Sequence, residues 1–134
     1  MTPAVSLEAY QDQMRALIDK SAGTARARYI TVAPGQEATY QLKKAETERY
    51  LAAVALAEPV SSNDYPFIFG EALATGQTTD AVAAVISATA AAWMQKAAQI
   101  ESARLAGKKA VTEAENHAEA SLAATEAREV LEAL

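Results

Sequence analysis

Two alanine-rich stretches with helical periodicity are separated by Arg26–Tyr40, RARYITVAPGQEATY. Here Ile30, Thr31 and Val32 run into Ala33-Pro34-Gly35-Gln36. Pro34 fixes its own φ and lacks an N–H, and Gly35 tolerates backbone conformations that other residues avoid. The chain must therefore leave one helix, turn and start another within a few residues, with Pro34 and Gly35 as the turn. Two helices of similar length on a short connection predict an antiparallel helical hairpin.

The flanking segments support this. Ser6 is a candidate N-cap with Glu8 in the first turn. Leu7, Tyr10, Met14, Leu17 and Ser21 follow on one face, which places a first helix at 6–28. A second runs from about Gln36 to Ala57 and is stopped by Pro59. EPVSSNDYP at 58–66 reads as a loop. Phe67 to Thr75 reads as a short helix closed by Gly76 as a left-handed cap, with Thr78 or Thr79 capping the next helix. That helix carries the clearest stripe, Val82, Ile86, Thr89, Trp93, Ala97, Ile100 and Arg104, and predicts a buried Trp93. Gly107-Lys108-Lys109 reads as a weak break, and Val111, Ala114, Ala118, Leu122 and Thr125 continue a narrow stripe beyond it. The expected fold is all-α: a hairpin packed against a long third helix, a short extra helix and an extended C-terminal helical tail. The expected organisation is a bundle at 1–106 and an acidic helical tail at 107–134.

Composition bears on how such helices hold together. Alanine fills roughly a quarter of all positions. It favours helix and permits close approach, but buries little surface. A thin core and reliance on neighbouring subunits are expected. The net charge of −5 argues against sequence-independent nucleic-acid binding, which needs a cationic surface. There is no cysteine, so thiolate chemistry is excluded. MTPAVSLEAY has neither the basic region nor the apolar run of a secretory signal, and Ala81–Met94 is short for a bilayer span. A soluble chain without membrane insertion is expected.

Reaction chemistry finds little footing. His117, the only histidine, has Glu113 at i−4, but two ligands make a weak metal site and a solvated surface is the plainer reading. Glu46, Glu48 and Glu58 read as helix-surface charge rather than an acid–base pair. Arg26, Arg28, Lys43 and Lys44 read as dipole compensation with salt bridges to Glu37, Glu46 and Glu48, in preference to a phosphate-binding patch. No hydrolase, P-loop, zincin or dinucleotide motif is present. No enzyme activity, cofactor or metal is expected.

RARYITVAPGQEATYQLKKAE, followed by YPFIFGEALATG, VAAVI with Trp93, and IESARL, resembles small helical proteins and segments encoded in the tail-gene regions of tailed bacteriophages. Arg28–Gln36 is the most specific part. The resemblance implies a noncatalytic structural or adaptor subunit of a tail, fibre or baseplate. Such a subunit partners other phage tail proteins, as a homo-oligomer or hetero-complex, and resides in the virion after passing through the host cytoplasm. The alternative is an assembly chaperone or small acidic regulator that binds another protein transiently. The candidate contact residues are Tyr65 and Phe69 after the loop, and Val111, Ala118 and Leu122 on the tail.

Overall fold

The computed structural model describes residues 5–29 and 36–134, so the Pro34-Gly35 turn lies outside the described residues. Its elements are α1 (Leu7–Ala27), α2 (Gln36–Ala55), α3 (Pro66–Thr75), α4 (Thr79–Glu113) and α5 (His117–Ala133). The chain is all-α, as the sequence predicts. It divides into two compact units: Met1–Ile30 with Gln95–Leu134, and Thr31–Met94. Neither boundary falls at the expected 106/107. The first and second helices belong to different units. The α1–α2 hairpin is therefore not among the packings described: α1 packs with α5, and α2 with α3.

The helix ends follow local chemistry. Ser6 Oγ accepts from the Ala9 N–H at 3.1 Å and starts α1. Thr78 Oγ1 accepts from the Ala81 N–H at 3.1 Å and starts α4. Pro66 opens α3, where its missing N–H has no helical partner to lose, and Gly76, at φ 71°, closes it. The end of α2 is less ordinary. Glu58 N–H donates to Ala53 O and Ala57 N–H to Val54 O, a Schellman closure with Ala57 in the left-handed region at φ 55°. Pro59 therefore follows a stop already made.

The first unit is a three-helix bundle of α1, the second part of α4, and α5. Its core is Ile18, Ala22 and Ala25 of α1, Ile100 and Val111 of α4, and Ala120, Ala124, Ala127 and Leu131 of α5, with Ala114 between the last two helices. At the start of α1, the Nε2–H of His117 donates to the Val5 carbonyl at 2.7 Å. Beyond its end, Arg28 Nη1 donates to the Leu131 and Glu132 carbonyls at 3.3 and 3.1 Å. The two helices therefore run parallel. Gln11, near the start of α1, donates to the Val111 and Ala114 carbonyls at the end of α4, so α4 runs antiparallel to both.

Several expectations are corrected here. The segment 107–134 is part of a core, because Val111 and Ala114 and four residues of α5 are six of its ten buried residues. Val111 and Ala114 of the expected stripe are buried, but within α5 the buried line is Ala120, Ala124, Ala127 and Leu131 rather than Ala118, Leu122 and Thr125. Gly107 does not break α4. It sits where a Cβ would lie 2.5 Å from the Ala127 Cβ and 3.2 Å from the Ile18 Cδ1, so its missing side chain lets three helices meet. The helix ends instead before Asn116, whose Oδ1 accepts from the Glu119 N–H while Glu119 Oε2 accepts from the Glu115 N–H.

The second unit joins α2, α3 and the first part of α4 around Tyr50, Tyr65, Ile68, Val82 and Ile86, with Ala53, Ala72 and Ala83 between them. Tyr50 and Tyr65 meet edge to face, with ring centroids 5.4 Å apart. The Tyr50 hydroxyl lies 2.6 Å from Asp80 Oδ1 and 2.8 Å from Thr79 Oγ1, which ties α2 to the start of α4. Glu46 is only 3% exposed. Its carboxylate accepts from the N–H groups of Phe67 and Ile68, at 3.1 and 2.9 Å. These are first-turn donors of α3 that have no helical acceptor, and the helix dipole favours an anion there. The reading of Glu46 as surface charge is therefore wrong: it is the cap of a neighbouring helix.

Candidate interaction surface

Charge in the first unit is spent internally. Asp19 lies 2.9 Å from both Arg104 and Lys108, and Glu101 lies 2.7 Å from Arg104 and 2.8 Å from Arg26. The Lys108 ammonium, then Arg104, holds the Asp19 carboxyl below the usual carboxylate range, and Arg104 does the same for Glu101. Hydrogen bonds that Arg104 donates to Glu101 and Asp19 raise it further above its already high value. A polar cleft of about 180 Å³ gathers Lys20, Ser21, Thr24, Arg28 and Arg128. Arg28 is committed to the end of α5, Arg128 Nε donates to Ser21 Oγ, and Glu132 offsets part of the charge. The basic residues singled out in the sequence are thus dispersed. Arg26 pairs with Glu101, Arg28 caps α5 and Lys43 pairs with Glu71, so the expected bridges to Glu46 and Glu48 are replaced by others.

The first unit also has a mainly apolar cleft of about 530 Å³ at Ala98, Ala103, Val130 and Leu134, and the second unit has an apolar groove of its own. A groove of about 210 Å³ runs between α2, which lends Lys44, Thr47, Glu48 and Leu51, and α4, which lends Ile86, Ser87, Ala90, Ala91 and Met94. Its lining is mainly apolar and includes the small residues Ser87, Ala90 and Ala91. Leu51 and Met94 in this lining are 39% and 56% exposed. Leu42, Val54, Leu56, Leu73 and Val85 are also exposed in this unit. Burial raises the Tyr50 phenol above its usual value, with Asp80 adding to the shift. Burial likewise raises Tyr40, whose hydroxyl is enclosed without a hydrogen-bond partner among the described residues.

The contact residues predicted from sequence do not form one surface. Tyr65 is buried in the second unit's core, and Phe69 is half-buried against it. Val111 is fully buried in the first unit and cannot face a partner, whereas Ala118 and Leu122 are exposed on α5. His117 is bonded to Val5 and its ring centroid lies 4.8 Å from that of Tyr10, so it does more than face water. Trp93 is half-buried rather than buried. Lys44 and Ile86 were singled out for other reasons, and the groove itself was missed because Ala90 and Ala91 carry no signal in an alanine-rich background. Met94 beside the Ile86 stripe was the available hint.

Among the described residues no group of three or more His, Cys, Asp or Glu side chains is gathered as for a metal ion. No described helix is long and apolar enough to cross a membrane. Comparison with known protein families, curated proteins and solved structures gives no match.

Proposed function

We propose that this chain is a noncatalytic structural or adaptor subunit that works by helix packing, and that its setting is the tail of a bacteriophage. The packing role is carried by one observation: the second unit leaves Leu51 and Met94 exposed in the lining of an apolar groove outside its buried core. Apolar surface grouped in this way is used for contact. The phage setting rests on the resemblance of Arg28–Gln36 and the YPFIFGEALATG segment to products of tail-gene regions. Its partners are then other tail proteins or further copies of the chain, with no cofactor and no nucleic acid.

Quantitative mass spectrometry of purified particles of the encoding phage tests this. The expected result is the chain at a fixed stoichiometry relative to the tail proteins. Its loss during particle purification, with the chain present in lysates, would instead favour a transient assembly factor.

A further inference from the structure

The lining of the second unit's apolar groove includes a pair of opposite charges. Lys44 and Glu48 lie one turn apart on α2, in the same row as Leu51. Neither has an ion-pair partner among the described residues, whereas adjacent Lys43 is already bound to Glu71. Lys preceding Glu by four residues is the weaker order for a bond within one helix. Both charges are therefore open to a partner, and they flank the same apolar strip.

From this we infer that the groove is a two-fold interface between two copies of the chain. The inference rests on the packing role proposed above and names the partner. A two-fold axis midway between Lys44 and Glu48 brings each lysine opposite the other copy's glutamate, because the patch is self-complementary about that point. A second copy supplies both charges at matching spacing, about 6 Å along the helix. An unrelated partner needs the same pair by coincidence. The small side chains of Ala90 and Ala91 allow close approach, and Leu51 and Met94 of each copy are covered by the other. Flexible Met94 suits the filling of an irregular gap.

Charge reversal tests the interface in the full chain. Sedimentation equilibrium from low micromolar to near-millimolar concentration should show the wild type as a dimer. Lys44→Glu and Glu48→Lys should each weaken self-association by about tenfold or more, since like charges then face each other. Mixed in equal amounts, the two variants should associate again as a heterodimer, and the double exchange should restore the homodimer. Ala91→Arg, at an exposed position in the groove lining, should give a monomer with an unchanged helical spectrum. A wild type that stays monomeric, single variants that associate like the wild type, or a mixture that stays monomeric each overturn the inference. A monomer found in particles removes this interface and leaves the packing role standing. A dimer missing from particles removes the virion role and leaves the interface.

Discussion

The bundle of α1, α5 and the second part of α4 relies on alanine and a glycine, whereas the unit of α2, α3 and the first part of α4 relies on tyrosine and isoleucine. In the first, Ile18, Ile100, Val111 and Leu131 are the bulk, and Ala22, Ala25, Ala120, Ala124 and Ala127 form the surfaces between helices. Little apolar area is buried per residue, so polar closures accompany it: Gln11 on the end of α4, Arg28 on the end of α5, and the Asp19–Arg104–Glu101–Arg26 chain of ion pairs. In the second, a few large side chains fill the centre and other large ones remain outside. The contrast shows two ways of using a limited supply of bulk. One unit supplements it with close approach, and the other concentrates it in aromatic rings, while both leave large apolar side chains outside, Leu105, Leu122 and Val130 in the first.

The largest expected effect separates the units outright. Removal of residues 117–134 takes Ala120, Ala124, Ala127 and Leu131 from the first unit and uncovers Ile18 and Val111. That unit should unfold, while amide protection in α2 and α3 persists; hydrogen exchange resolved by segment measures both. Equal loss of protection in α2 and α3 would make the division a formal one.

Next in size is Glu46→Gln. The neutral amide loses the charge that assists two hydrogen bonds at the start of α3, and one of its ends repels a donor. A cost of about 1.5–3 kcal/mol is expected in denaturant titrations, falling on the second unit.

Replacing Ala57 by glycine should act in the other direction. Ala57 holds a left-handed φ of 55°, where glycine has no Cβ penalty. Relief of that strain, less the extra freedom of glycine in the unfolded chain, should stabilise α2 by about 1 kcal/mol, read as a higher melting midpoint.

The pH response should distinguish the units most gently. Asp19 and Glu101 have depressed pKa values, so their contribution is present above the unfolded carboxylate range and is lost as pH falls through the folded values. Tyr40 and Tyr50 have raised values, so their contribution is present below about pH 10 and is lost as pH rises toward the folded values. Acid should loosen the first unit and alkali the second. The acid effect should be small, because the ion pairs are partly exposed. Exchange rates that rise together in both units at each extreme would count against this separation.

Much of the secondary structure was legible because it is written in side chains with one local role. Ser6, Thr78 and Gly76 cap what their positions say they cap. The start of α5 was equally legible in Asn116 and Glu119, whose spacing is that of a capping box, but the weaker glycine at 107 drew the break instead. Packing was harder to read. In α1 the apparent seam of Leu7, Tyr10, Met14, Leu17 and Ser21 is half-buried, and the true core line is Ile18, Ala22 and Ala25. Alanine is silent in a hydrophobic pattern, since it occupies buried and exposed positions alike. Glu46 and Gln11 act across long stretches of sequence on the ends of other helices, and no local pattern announces that. The groove was hidden for the same reason as the cores: much of its lining is alanine.

The parallel pairing of α1 with α5 sets an order of events during synthesis. The segment 31–94 is continuous in sequence, and its contacts are available once α4 has begun to emerge. The bundle is not, because Arg28 must wait for Leu131 and His117 must find Val5, across more than a hundred intervening positions. Closing so long a loop costs entropy before any contact rewards it, which slows folding. Until α5 arrives, the apolar residues of α1 have lost neither their water nor their freedom. A nascent chain of this design should therefore present a finished unit bearing the groove while its first helix still waits for its partner.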